Sequence, residues 1–225
     1  MDLMEAIRDR HSVRQYEKRS IEPDVKKELE DYIAACNAEG GMHIQLVTDE
    51  PKAFDSMLAH YGQFSGVTNY LAVVGPKGAG LEEKCGYYGE KVVLKAQQLG
   101  LNTCWVAGTY KKIPSAFTVE EGEKFVLVIA IGYGVHQGKQ HQSKTFDDVT
   151  KLSGEAPEWF KQGVEAALLA PTAINQQKFT FSFEEKNEGN KVLAKAGLGF
   201  NSKIDLGIVK YHFEIGAGKE NFVWE

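Results

Sequence analysis

The chain has 225 residues, of which 43% are hydrophobic and 25% charged, and its formal net charge is -5. That balance fits one globular domain or two small ones, and with a pI near 5.8 it argues against nucleic acid as the principal ligand. No uninterrupted apolar stretch approaches the ~20 residues a membrane-spanning helix needs and no secretory signal pattern is read, so a cytoplasmic protein without a membrane partner is expected.

Residues 2–10 read as a helix, because Leu3, Ala6 and Ile7 form an apolar stripe. From Ser12 the pattern becomes extended, with Ser12, Arg14 and Tyr16 on one side. Pro23 opens a second helix that carries Val25, Leu29, Ile33 and Cys36 and stops at Gly40-Gly41. A short strand at 44–47 and a helical stretch at 51–62 follow. Residues 70–74 form a buried strand ended by Gly75-Pro76. The glycine-rich loop at 75–80 satisfies neither GxGxxG nor GxxxxGK[ST], and it reads as a flexible connection. A long helix at 82–99 is capped by Gly100, and a short strand at 102–107 is closed by Gly108. Residues 125–132 are apolar on both faces, which places that strand in the centre of a sheet covered on both sides.

The second part of the chain begins with a polar loop at 134–145 and a short turn or helix at 147–149. A clear helix covers 158–169 and Pro171 ends it. Phe179, Phe181 and Phe183 alternate with polar residues, the mark of a strand with one apolar face. Residues 184–190 turn the chain, 205–215 form a last helix, and 222–224 add an edge strand. The order helix, loop, strand at 24–47 recurs at 158–183. The whole reads as one α+β domain over 1–225, with two pseudo-symmetric halves near 1–150 and 151–225 as the alternative.

Three segments carry polar chemistry. Around the first helix end, Arg8, Arg10 and Arg14 supply cationic donors and Ser12 a hydroxyl, which on an acidic chain suits one anionic group; an exposed helix end is the plainer reading. In residues 170–179, Thr172, Asn175 and Gln177 can bond hydroxyls or ring carbonyl and imino groups, or simply satisfy local backbone. In residues 99–108, a tight helix exit and Gly108 let backbone N–H groups approach a flat ligand, while the Trp105 ring reads as core packing.

Together these segments resemble the flavin-dependent nitroreductase superfamily. Arg10-His11-Ser12-Val13-Arg14-Gln15-Tyr16 looks like its opening signature. Residues 89–108, with Leu94, Ala96, Leu99-Gly100-Leu101 and Trp105 to Gly108, are similar to its central helix and flavin-facing strand. The strand ending in Ile131-Gly132-Tyr133 looks like its Ile-Gly-Tyr strand. Residues 170–179 resemble its Ala-Pro-Ser-x-x-Asn-x-Gln-Pro-Trp loop, with Thr172 for the serine and Lys178-Phe179 for Pro-Trp. Family members carry that loop after the second helix, where this chain has Ala34 to Gly41 and keeps little of it. Its place in the second half resembles a divergent, thermophile-type branch.

The resemblance implies a three-layer α/β/α sandwich with a central mixed, mainly antiparallel sheet, and a tightly bound FMN at the interface of a homodimer. Arg10, Ser12 and Arg14 are carried over to the FMN phosphate. Asn175 and Gln177, beside Thr172, go to the ribityl chain or isoalloxazine edge. The backbone N–H groups of Ala107 and Gly108 go near flavin N5, and Lys144 approaches the phosphate. NADH or NADPH would stack on the open face and deliver a hydride, after which a small electron-poor acceptor such as a nitroaromatic or quinone takes its place. Relocation of the Asn/Gln loop leaves a rival to the dimer, a monomer whose second half imitates a partner subunit. Two functional rivals stand beside the reductase: a flavin-binding or flavin-processing protein without turnover, and an interaction protein that has lost FMN.

Flavin chemistry needs neither a side-chain nucleophile nor a metal. His136 and His141 stand five apart in a loop with no HExxH pattern, so no metal site is expected. Cys36, Cys85 and Cys104 are an odd number at wide spacing and read as small buried hydrophobes in a reducing compartment.

Overall fold

The computed structural model describes residues 1–152, 154–186 and 189–225. Helix α1 (Leu3–Asp9) is fixed at its start by Asp2 and Glu5, whose side chains and amides close a capping box. Helix α2 (Pro23–Gly40) starts on proline and ends where Gly41 turns left-handed, at φ 61°. The expected helix at 51–62 divides into a 3-10 turn (Pro51–Ala53) and α3 (Met57–Tyr61). Two side-chain caps in quick succession force that division: Glu50 accepts from the Lys52 and Ala53 amides, and Ser56 from that of Ala59.

Strands β1 (Gln45–Val47), β2 (Tyr70–Pro76), β3 (Asn102–Val106) and β4 (Glu123–Gly132) form an antiparallel sheet in the order β1-β2-β4-β3. The doubly apolar β4 is central, as expected. Its Leu127, Ile129 and Ile131 join the core under α2 and α4 (Leu81–Gln98), while Val128 and Ala130 join a second core with Phe54, Ala59, Phe64 and Phe117.

After α5 (Phe146–Val149) and α6 (Glu158–Ala167), the remaining strands make a second sheet. Strand β5 (Phe179–Lys186) pairs antiparallel with β6 (Gly189–Ala196), and β7 (Val223–Trp224) joins β6 in parallel. The strands are thus shared between two sheets rather than gathered in one, and the helices α4 and α7 (Ser202–Ala217) pack between them. Sequence reading missed β6. The expected turn at 184–190 is mostly strand, and its centre at 187–188 lies outside the described residues. Lysine and alanine are poor strand formers, so Lys191 to Ala196 acquires its conformation from pairing with the phenylalanine strand β5.

Helices α4 and α7 cross at glycines. A methyl group on Gly86 would run into the Ile204 carbonyl and lie 3.0 Å from the Ile208 nitrogen. One on Gly207 would run into the Glu83 carbonyl and lie 2.6 Å from the Tyr87 nitrogen. The two contacts are reciprocal, as across a two-fold axis. Each helix also follows a left-handed N-cap, Gly80 at φ 82° and Asn201 at φ 54°. Each is preceded by a strand, β2 or β6, that has an antiparallel neighbour, β1 or β5, preceded in turn by a helix, α2 or α6. The helix–strand echo seen in the sequence falls on the first members of these two series.

Candidate active site

Arg10 caps the C-terminus of α1, its amide bonding the Ala6 carbonyl at 2.9 Å. The chain then runs extended: Ser12 bridges to Thr103 on β3, Val13 N–H donates to the Thr103 carbonyl, and Tyr16 N–H to that of Ser65. This alternation sends Ser12 and Arg14 to one side, where both line a cavity.

The opposite wall is the loop that follows α6. Three of its residues take left-handed backbone without being glycine: Ile174 (φ 48°), Asn175 (φ 54°) and Gln177 (φ 46°). Such strain, greatest for β-branched Ile174, survives only where surroundings over-determine it. Here they do. The buried Gln177 amide donates to the Gln142 carbonyl and to Asn175 Oδ1, and its oxygen accepts from the Lys144 amide. Thr172 Oγ1 accepts from Gln177 N–H. Asp205 on α7 accepts from Ala173 N–H at 2.9 Å and from Gln176 Nε2 at 2.8 Å. Burial pushes the Asp205 carboxyl up to about 6, against the pull of those two bonds.

Two adjoining cavities lie between these walls and share Ser12, Arg14, Pro171, Thr172 and Ile174. One, of about 550 Å³, is cationic: Arg10, Arg14 and Lys139 line it with His136, His141 and Asn175. The other, of about 330 Å³, is flatter in chemistry, with Phe64, Trp105, Ala107, Gly108, Phe200 and Ile208 on its walls and Asp205 at its edge. Both walls come from one chain. At the cationic end, Arg10 is 3% exposed and its Nε has no hydrogen-bond partner. Burial lowers its pKa despite nearby Glu90. Burial also lowers that of His141, whose Nε2 lies 3.0 Å from the Leu168 carbonyl.

Of the nine residues singled out by sequence, seven line these cavities: Arg10, Ser12, Arg14, Ala107, Gly108, Thr172 and Asn175. Gln177 and Lys144 do not. Gln177 is the buried clamp of the loop, and Lys144 Nζ donates to the Gln177 carbonyl at 2.9 Å, so both shape the site from behind. Trp105 does two things: its indole packs on Gly89 and donates to Glu90 Oε2 at 2.9 Å, while its edge lines the flatter cavity. Sequence reading missed Phe200 and Asp205, and it read His136 and His141 as a question of metal rather than of anion binding. A carboxylate inside the apolar run Ile204 to Val209 was the available signal for Asp205.

Among the described residues no three His, Cys, Asp or Glu side chains converge as a metal would require, and no helix is long and apolar enough to cross a membrane. The three cysteines are free and buried; burial raises Cys36 to about 11 and Cys85 to about 12.

Comparison with known proteins agrees with this layout. The family described as "Putative TM nitroreductase" matches residues 2–217. The chain belongs to that family. Its nitroreductase membership makes it an oxidoreductase by descent, and its α+β fold is that of solved nitroreductases. A Thermotoga maritima protein described as a putative nitroreductase superposes with TM-score 0.66 at 21% identity, over 98% of this chain and 85% of that one. A nitroreductase family protein from Streptococcus pneumoniae gives TM-score 0.51 at 14% identity, over 66% of this chain and 98% of that one. A Bacteroides thetaiotaomicron protein described as a putative NADH dehydrogenase/NAD(P)H nitroreductase gives TM-score 0.51 at 19% identity, over 65% of this chain and 95% of that one. Nearly all of each of the last two is therefore accommodated by about two thirds of this chain. No curated protein is similar enough to be matched.

Proposed function

We propose that this chain is an FMN-dependent oxidoreductase that passes a hydride from NADH or NADPH to a small electron-poor acceptor, such as a nitroaromatic or a quinone. The observation that carries the reading is the pair of joined cavities, one cationic and one walled by flat apolar groups, with the buried and unpartnered Nε of Arg10 at the cationic end. Beyond a loose ion pair with Glu90 at 3.8 Å, the buried Nε has no hydrogen-bond acceptor, which an ordinary surface cleft would supply as water. A phosphate supplies both the countercharge and the acceptors it lacks.

The residues present fit FMN. Arg10, Ser12 and Arg14 would hold the phosphate end, with Lys139, His136 and His141 around it. Thr172, where the two cavities join, and Asn175, on the cationic side, would meet the ribityl chain. The backbone of Ala107 and Gly108 would face the ring edge, and Trp105, Phe200 and Ile208 would exclude water from it. Bound there, FMN would supply the two-electron carrier that the side chains cannot. What the protein contributes is neutralisation of the phosphate, a dry wall and a strained, pre-formed loop.

We further infer that one chain completes one site. The homodimer was expected because family members place the two walls in different subunits. Here the elements ending in α7 stand to those ending in α4 as a partner subunit would, and both walls come from the same chain. The domain is accordingly read as two fused pseudo-symmetric halves.

Absorbance of the purified protein tests the reading. Visible flavin bands that bleach under anaerobic NADH or NADPH are expected, with recovery on adding a quinone. Flavin that stays oxidised with both nucleotides would leave a flavin-binding protein without turnover, and protein unable to bind added FMN would refute the cofactor.

A further inference from the structure

One carboxylate, Glu90 in the middle of α4, is fully buried and contacts a lining residue at each end of the site. Its Oε2 accepts from Trp105 Nε1, which borders the flat cavity. Its Oε1 lies 2.9 Å from His212 Nε2 and 3.8 Å from Arg10 Nε, at the cationic cavity. His212, on α7, is fully buried as well, and its Nδ1 lies 3.1 Å from the Ala166 carbonyl.

The hydrogen inventory of this group is closed by chemistry. A carbonyl oxygen only accepts, so His212 Nδ1 carries a hydrogen. Nε2 then faces a carboxylate oxygen at 2.9 Å. A bare nitrogen lone pair against a carboxylate would be repulsive, so a proton lies between them. It can sit on the ring, giving imidazolium and carboxylate, or on the acid, giving imidazole and carboxyl. Both forms carry one proton and no net charge. Glu90 is therefore shared, held by His212 at 2.9 Å and paired only loosely with Arg10, whose Nε stands 3.8 Å away in an ion pair without a hydrogen bond.

We propose that His212 and Glu90 are positioning residues that share one proton, and that by doing so they keep Arg10 only loosely paired and available as a cation for a phosphate in the adjoining cavity. This rests on the FMN reading of that cavity. Without His212, Glu90 becomes a full carboxylate and draws Arg10 from a loose ion pair into a hydrogen-bonded one, spending the charge that the ligand needs. The same carboxyl fixes the indole of Trp105, so one buried group sets the phosphate end and the ring end together.

The test compares FMN with riboflavin, which lacks only the phosphate. Dissociation constants are measured for the wild type, His212→Gln and the double variant Glu90→Gln/His212→Gln. In His212→Gln the preference for FMN over riboflavin should fall by about tenfold or more. In the double variant, where no carboxylate remains to capture Arg10, the preference should return. An unchanged preference in His212→Gln, or a lost one that the double variant does not restore, would overturn the proposal; a merely structural role for His212 predicts the latter. Nitrogen NMR of wild-type protein labelled at histidine decides the shared proton without any variant or flavin. Both ring nitrogens of His212 should be hydrogen-bonded through a proton, and a bare Nε2 would overturn it. Wild-type protein that binds neither flavin would refute the cofactor reading, and the NMR result would still decide the pair.

Discussion

Gly86 and Gly207 each lie against the backbone of the other's helix, so that either one, given a methyl group, would strike the same carbonyl position on its neighbour. This reciprocity is what a two-fold axis between identical subunits produces, yet it occurs within one chain. Overpacking costs about 1–3 kcal/mol, and a backbone oxygen cannot rotate aside as a side chain can. Gly86→Ala and Gly207→Ala should therefore lower the unfolding midpoint by comparable amounts, although alanine favours helices. Gly78→Ala, where a methyl meets nothing, is the control and should be neutral. Equal stability of all three variants in urea titrations would show that the crossing is looser than described.

Arg10→Ala tests the phosphate end. Removing a charge-assisted bond should cost about 1.5–3 kcal/mol of binding, a ten- to hundredfold loss of FMN affinity. The loss should be smaller for riboflavin. Arg10 also contacts Glu90, so circular dichroism must accompany the titration. Equal losses for the two flavins, with the fold intact, would remove Arg10 from the phosphate site.

Asp205 supplies a pH signature. Its carboxyl is raised to about 6, so between about pH 4 and pH 6 the folded state holds a proton that the unfolded state has released. Stability from this group therefore falls as pH rises through that window and is level above it, by an amount on the order of 3 kcal/mol. Other carboxylates act in the opposite sense: Asp148 is lowered by its bonds with Thr145, and Glu123 is lowered by His43 and the Glu120 amide against the opposing effect of burial. The informative quantity is the difference between wild type and Asp205→Asn in urea unfolding across pH. That difference should grow in favour of asparagine up to about pH 6 and then hold. A pH-independent difference would place the Asp205 carboxyl near its ordinary value.

Much of this was legible in the residues. Long periodic stretches gave α2, α4 and the central β4, because burial on one or both faces leaves a repeating apolar signature. The Arg10 to Arg14 segment and the loop at 170–177 stood out as clusters of donors at element boundaries, and both border the cavities, although such donors also serve to satisfy local backbone. What escaped depends on tertiary contacts. Strand β6 is a strand because β5 pairs with it. Glu90 and His212 stand 122 positions apart, each an unremarkable residue in a helical run, and only the crossing of α4 and α7 makes them a pair. Gln177 and Lys144 look like ligand groups in the sequence; the fold uses them to lock the loop. The reciprocity of the glycines was present only as a faint helix–strand echo, because it lies in the packing of α4 against α7 and not in any repeated run of residues.

The central claim is that a single chain forms one complete FMN site, and mass measured together with flavin content tests it most directly. Light scattering during gel filtration, with absorbance at the flavin bands, should show one FMN per 25.0 kDa chain, retained by a species of monomer mass. Mixing Arg10→Ala chains with Asn175→Ala chains should restore no intact site, because both walls of each site lie in one chain. Flavin confined to a species of twice that mass, with tight binding recovered in the mixture, would contradict the account.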